Sequence, residues 1–576
     1  MKRFSVLLLV AALAFALFAF TACSNEEDAV TPDPDVEDTQ PPADDPAPDP
    51  DPEPDPEPAE PGERVPGIEG WVPFENRVLL TVPVYERNRE GFPDVANHYW
   101  TDWIQREFGD VWNVDVQFVP IPRGEVIMHY NLLMAAQDLP VIMMEYDYPI
   151  LSQWAYDGAL AVIDLDDFAF YAPNYFQGMV DRGQLIYTDI GGNTHLILSE
   201  RPFYNTPLFH YTFIRMDWLR EVGFDTVPRD RDTMNAARDA IIEAGLTDIP
   251  PAGFVVPAER FAGMTGGWGM RDFPVSEEEW AMHSSLMTTP VNWAPTREWL
   301  RNINEEFHLG HFSEEFELRS GPDDEADFIA GRLMAHGGFV SAHTPWLNAF
   351  FEMNPDAELA VAPVFYDHQA RSDNPFGAIV GFSSLASEDQ LRAAWMYMEW
   401  MLQPEILDVL QLGYEGINWE YDEDGNIIRH VEYEGLTRLH HNNNVDIWMI
   451  VMASEVRGTA EEIIARHAPQ GLPQCFEAEM LANYRFIREA ANAGRIYPDI
   501  FFSVPIPAES EYVGTLHGLL QEWFSRLVRV APADFDALYD EFEAAYLAAG
   551  YQTIIDQRLQ AFRDGDSTRL PANVRQ

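Results

Sequence analysis

The feature that most constrains this chain is the stretch from residue 78 to residue 144, where apolar residues alternate between strand spacing and helix spacing. Val78 to Val82 is a β-branched and aliphatic run. Asp94 is placed to cap a helix carrying Val95, Tyr99, Trp103 and Ile104 on one face, and Val114 to Val119 is strand-like again. Val126, Ile127, Tyr130, Leu133 and Met134 then form a helical stripe that leads into Val141-Ile142-Met143-Met144. Strands separated by helices need crossover connections, so the pattern implies a parallel sheet covered by helices. It restarts at Thr212-Phe213-Ile214-Arg215, which runs into Asp217-Trp218-Leu219-Arg220. Ala378 to Val380 reads as a strand, and Ser387-Glu388-Asp389-Gln390 as a capping box opening a helix from Leu391 to Leu402 that Pro404 ends. Near the end, Phe535, Leu538, Tyr539, Phe542 and Tyr546 share one helix face, with Gly550 stopping the helix.

The N-terminal segment does not belong to this folded pattern. Lys2 and Arg3 precede an uncharged apolar run, Phe4 to Phe20, which is short for a membrane span and ends in Phe20-Thr21-Ala22-Cys23. It resembles a bacterial lipobox, which implies cleavage after residue 22 and lipid on Cys23; an ordinary secretory peptide with an incidental cysteine is the alternative. Residues 23–68 then read as an anchor and tether, dominated by Asp, Glu and Pro, with almost nothing apolar to bury. The chain has two cysteines, so no disulfide framework is available. An exported chain of this kind must rely on a large core, which 47% hydrophobic residues supply. Cys475 reads as an inert buried thiol. The remaining length, about 510 residues, exceeds one ordinary core and fits two α/β lobes with insertions.

Composition excludes several functions. Without the two basic residues of the leader, the formal charge of −59 becomes −61, which disfavours nucleic acid and anionic lipid surfaces as partners. Lys2 is the only lysine. The mature chain therefore lacks Schiff-base chemistry, pyridoxal phosphate attachment and the lysine of a phosphate-binding loop.

Several segments in order carry a family resemblance. They are Tyr130-Asn131-Leu132-Leu133-Met134-Ala135-Ala136-Gln137-Asp138-Leu139-Pro140, Tyr156-Asp157-Gly158-Ala159-Leu160, Tyr171-Ala172-Pro173-Asn174, Phe213-Ile214-Arg215-Met216-Asp217-Trp218-Leu219 and Gly413-Tyr414-Glu415-Gly416-Ile417-Asn418. Following a lipobox, they resemble the family 1 extracellular solute-binding lipoproteins of bacterial ABC importers, nearest to the branch for aldouronate and other oligosaccharides. Val141 and Met216 depart from that pattern, where Asp and Lys are common. The resemblance implies a type II periplasmic-binding-protein-like α/β fold. Each lobe would be a mostly parallel sheet flanked by helices, with C-terminal helical elements. Lobe I would take 69–205 and 376–414, and lobe II 206–375 and 415–576.

In open α/β sheets ligands gather beyond the carboxyl ends of the strands. That rule selects Tyr85 after the first strand and Glu145, Tyr146 and Asp147 after the third. In the second lobe, Trp268 stands in a glycine-rich stretch, and His343 and Trp346 follow the strand-like Leu333 to Val340; Tyr414, Glu415 and Asn418 lie near the crossing. A pyranose presents an apolar C–H face and a rim of hydroxyls, so its cleft needs flat aromatics together with carboxylates or amides. His440-His441 with three asparagines lacks metal-ligand spacing and reads as a polar loop. Asp422-Glu423-Asp424-Gly425-Asn426 lacks the later glutamate of a calcium loop and reads as a hairpin turn. Gly381-Phe382-Ser383-Ser384-Leu385 lacks the last glycine of a nucleophile elbow.

The expectation is a monomeric, lipid-anchored receptor at the outer face of the cytoplasmic membrane, or periplasmic if there is an outer membrane. It captures an oligosaccharide and delivers it to an ABC permease, with no cofactor, no metal and no catalysis. The alternatives are a receptor for peptides or for a sensor kinase, and a surface-anchored glycoside hydrolase, which needs two carboxylates across a cleft.

Overall fold

The computed structural model describes residues 65–87, 93–201, 210–251, 276–284, 288–319, 321–339, 345–362, 370–372, 374–421, 427–430, 437, 445–452, 459–469 and 472–574. Cys23, the tether, Trp268 and His343 lie outside them, as do the turn 422–426 and the polar loop 440–444.

Strand β1 (Val78–Glu86) pairs in parallel with β2 (Val114–Pro122), from Val78↔Val114 to Glu86↔Pro122. Helix α1 (Tyr99–Ile104) lies between them in sequence and buries Trp100 and Trp103. Its cap is His98 rather than Asp94, because residues 95–98 form a turn in which Asp94 accepts the Ala96 and Asn97 N–H groups. Helix α2 (Val126–Ala136) leads to β3 (Ile142–Glu145). The Val141 N–H donates to the Thr81 hydroxyl, and the Tyr85 hydroxyl donates to the Met144 carbonyl. β3 therefore runs alongside β1 in the same direction, as the alternating pattern requires, and three carboxyl ends share one edge. Helices α3 (Tyr148–Tyr156) and α4 (Pro173–Asp181) precede the short β4 (Ile197–Leu198).

A second sheet follows. It contains β5 (His210–Arg215), continued by α5 (Met216–Glu221) and α6 (Ala294–His308), then β6 (Ala335–Phe339), α7 (Pro345–Met353) and β7 (Leu359–Ala362). The strand order is β6-β5-β7, with both ladders antiparallel. The chain then returns as β8 (Ile379–Phe382), which inserts between β3 and β4 and is antiparallel to both. This is a two-lobed α/β architecture, with one correction to the expected parallel sheets. Beside the parallel β1-β2 pair, the three-stranded ladder β3-β8-β4 holds β8 reversed, and the second three-stranded ladder holds β5 reversed. A strand by which the chain crosses between lobes runs against those joined by local crossovers.

Helix α8 (Glu388–Met401) opens on the expected Ser387/Gln390 capping box. Pro404 then starts a further helix, Pro404–Leu412, since proline is tolerated in a first turn. Strands β9 (Trp419–Tyr421) and β10 (Ile427–Arg429) pair antiparallel, as the hairpin reading requires. Helices that follow include α9 (Val445–Met449), α10 (Glu477–Asn492), α11 (Pro507–Arg529), α12 (Phe535–Tyr546) and α13 (Gln552–Asp564), and the short strand Ile496–Tyr497 pairs in parallel with Ala370–Arg371.

The first sheet's core joins Leu80, Val82, Met144, Ile379 and Phe382 to Ile447, Trp448, Val451 and Phe501. The second is built on Phe213, Phe328, Leu347, Phe350, Ile464 and Met480. The stripe Phe535, Tyr539, Phe542 and Tyr546 closes a third, helical core with Leu300, Leu520 and Phe524. Gly550 does not stop this helix; at φ 124° it bends the chain from α12 into α13, and a Cβ there would lie 2.2 Å from Tyr512. Cys475 is exposed, contrary to the buried reading, because it precedes α10 just outside the Phe476 contact with the second core. Among the described residues no helix is long and apolar enough to cross a membrane.

Candidate functional site

Strand β1 delivers Tyr85 fully buried, and β3 delivers Glu145 at its last position. The Tyr85 hydroxyl donates to Glu145 Oε2 at 2.6 Å. Tyr146 is half-buried, its ring 6.3 Å from that of Tyr85. Asp147 is buried at the start of α3, where its carbonyl accepts the Ile150 and Leu151 N–H groups. The structure thus brings together the four residues expected in the first lobe.

It also adds residues the sequence reading missed. Arg123 follows β2, and its guanidinium lies 4.6 Å from the Tyr85 ring centroid and 5.6 Å from that of Tyr146. One nitrogen stands 3.9 Å from Glu145 Oε1, and the side chain is 40% exposed against 4% for Glu145. Arg87, just beyond β1, donates to both carboxylate oxygens of the buried Asp446, at 2.5 and 3.2 Å. The rule that selected residues after β1 and β3 applies equally to Arg123 after β2. Asp446 had no sequence signal, since it reaches the site from α9, 359 positions along the chain from Arg87.

Burial governs the electrostatics. It raises the Glu145 carboxyl, reinforced by Asp147 and opposed by the Tyr85 hydrogen bond. Burial also raises Asp446, with Arg87 pulling the other way. Desolvation, then the Glu145 charge, pushes the Tyr85 phenol well above its ordinary value, so it remains a hydrogen-bond donor. The result is a flat aromatic surface topped by an exposed guanidinium, beside a carboxylate whose Oε1 is only loosely engaged. Such a set can stack on an apolar ring face and exchange charge-assisted hydrogen bonds with hydroxyls.

The other expected site residues lie elsewhere. Trp346 is 8% exposed and packs edge-on to Phe213, Phe328 and His336, so its ring serves the second core. Asn418 is buried, its side chain accepting from the Tyr414 N–H and donating to the Thr437 carbonyl; this fixes a turn in which Gly413 takes φ 76°. Tyr414 is half-buried, its hydroxyl 3.0 Å from that of Tyr99, and Glu415 is exposed. The Asn418 amide is thus committed to backbone and Trp346 to packing. Among the described residues no group of three or more His, Cys, Asp or Glu side chains is arranged to hold a metal ion.

Neither a protein-family model nor a curated protein matches the sequence. Solved structures do match. The alginate-binding protein AlgQ2, in a structure without calcium ion, aligns with TM-score 0.58 at 14% identity, over 85% of this chain and 99% of its own. The Streptococcus pneumoniae ABC-transporter substrate binding protein FusA, in complex with kestose, gives 0.53 at 12% identity, over 84% and 99%. The N-glycan transport solute binding protein NgtS of the same species gives 0.54 at 10% identity, over 85% and 100%. At such identities the likeness carries the fold, and the chain has the two-lobed architecture of the ABC-transporter substrate-binding proteins.

Proposed function

We propose that this chain is the substrate-binding component of an ABC importer. It captures an oligosaccharide at the carboxyl ends of β1, β2 and β3 and presents it to a membrane permease while anchored through lipid on Cys23. The observation that carries this reading is the meeting of Tyr85, Arg123, Glu145 and Tyr146 on a fold shared with transporter binding proteins. Arg123 and Tyr146 offer donors and a ring face, Glu145 offers an acceptor, and the Tyr85 hydroxyl holds that acceptor in place. Trp268 and His343, which lie outside the described residues, remain candidate ligand contacts in this reading. Lobe closure on ligand is what the permease would recognise.

Calorimetric titration with neutral and uronate-containing oligosaccharides is expected to show saturable binding without shortened products. Arg123→Ala and Tyr146→Ala should each weaken it at least tenfold, about 1.4 kcal/mol. Hydrolysis of the titrant would instead support a surface glycosidase, and binding of peptides alone would support a peptide receptor.

A further inference from the structure

The second lobe holds a cavity of about 470 Å³, lined entirely by described residues. Its floor is the outer edge of β7, and its walls come from α10 and from the segment after α5. The pairing register places it. His210↔Phe339 and Thr212↔Ala362 set the carboxyl ends of β6 and β7 at the amino end of β5, whereas Arg215↔Leu359 marks the opposite end. Met216, Glu358 and Leu359 line the cavity at that opposite end. It is therefore separate from the sheet edge where the main ligand would sit.

What the cavity accepts follows from its walls. An exposed strand edge ordinarily invites another strand, but here Gln474 takes the Leu359 N–H and Glu479 takes the Val361 N–H. With those amides satisfied, an extended peptide has no donors to pair with, and β-addition is disfavoured. Charge is already balanced in part, since Arg220 pairs with Glu358. Apolar surface from Met216, Val227 and Phe486 alternates with polar groups of Thr226, Arg229 and Asn483. The volume lies within the range of small-molecule sites, roughly 300 to 1,000 Å³.

We infer that this cavity is a second carbohydrate site. It takes a neutral, polyhydroxylated ligand of one or two sugar rings, with an apolar ring face against Phe486 and hydroxyls toward Arg229, Gln474 and Asn483. A glycan held there as well as in the cleft would be retained by two contacts rather than one.

The test is titration of maltotriose, xylotriose and chitotriose into the full chain, with Ala482→Trp and Arg229→Ala as separate variants. Ala482 is exposed on α10 and lines the cavity, so tryptophan there fills the space from outside the core. The expected result is two saturable events with at least one sugar. One of them should be abolished by Ala482→Trp and weakened at least fivefold by Arg229→Ala, with no change in the event sensitive to Tyr146→Ala. A single event, lost in Tyr146→Ala and unchanged in Ala482→Trp, would overturn this site and leave the cleft reading standing. Absence of any saccharide binding to the unaltered protein would overturn both.

Discussion

At Glu145, burial and the neighbouring Asp147 act in the same direction and raise the carboxyl above its ordinary range. The folded chain therefore holds this proton more tightly than the unfolded chain does. The group's contribution to stability is fully present below the unfolded carboxyl's titration and is lost as pH rises through the folded value. Glu145→Gln cannot ionise and still offers Tyr85 an acceptor. As pH rises from about 4, where the unfolded carboxyl titrates, through the raised folded range, the unaltered protein should therefore lose stability relative to Glu145→Gln. Urea-unfolding midpoints of the two proteins across that range check this, and parallel curves would refute it.

Among the elements, α4 shows how a distant side chain fixes a helix start. Pro173 occupies its first turn, and its N-terminal N–H groups at Asn174 and Tyr175 donate to the carboxylate of Glu399 from α8, at 3.1 and 3.0 Å. The Asn174 side chain adds a third bond, at 2.6 Å. Glu399 is 1% exposed, so replacing it strands buried donors. Glu399→Ala should cost about 2–4 kcal/mol in chemical denaturation. Glu399→Gln, which keeps acceptor oxygen, should cost less than half of that. Equal losses in the two variants would assign the effect to packing rather than capping. The start of α8, by contrast, was legible in sequence, because Ser387 and Gln390 cap it from within four residues of each other.

For the whole molecule, the proposed lipid anchor on Cys23 and the acidic Pro-rich sequence that follows it would hold the folded body at a membrane surface. Cys23→Ala should move the protein from the membrane fraction to the medium or periplasm with its saccharide affinity unchanged. Fractionation followed by titration checks this, and continued membrane retention would count against the lipid anchor. The body's net charge then acts at a distance, favouring neutral over polyanionic partners in low salt.

The chain's own pattern determined the strand and helix alternation, the parallel order of β1 to β3, the α8 cap and the apolar face of α12. All of these depend on residues a few positions apart. It also selected Tyr85, Glu145, Tyr146 and Asp147, because a strand's carboxyl end is a local property. Only the tertiary structure decided that β5 and β8 run reversed, since strand direction at a crossing depends on where the chain has come from. It likewise decided that Trp346 and Asn418 are consumed by packing and turn geometry, and that Arg123 and Asp446 come together with the candidate residues at the ends of β1 and β3. Such roles are set by contacts between residues far apart in sequence, which no local spacing encodes.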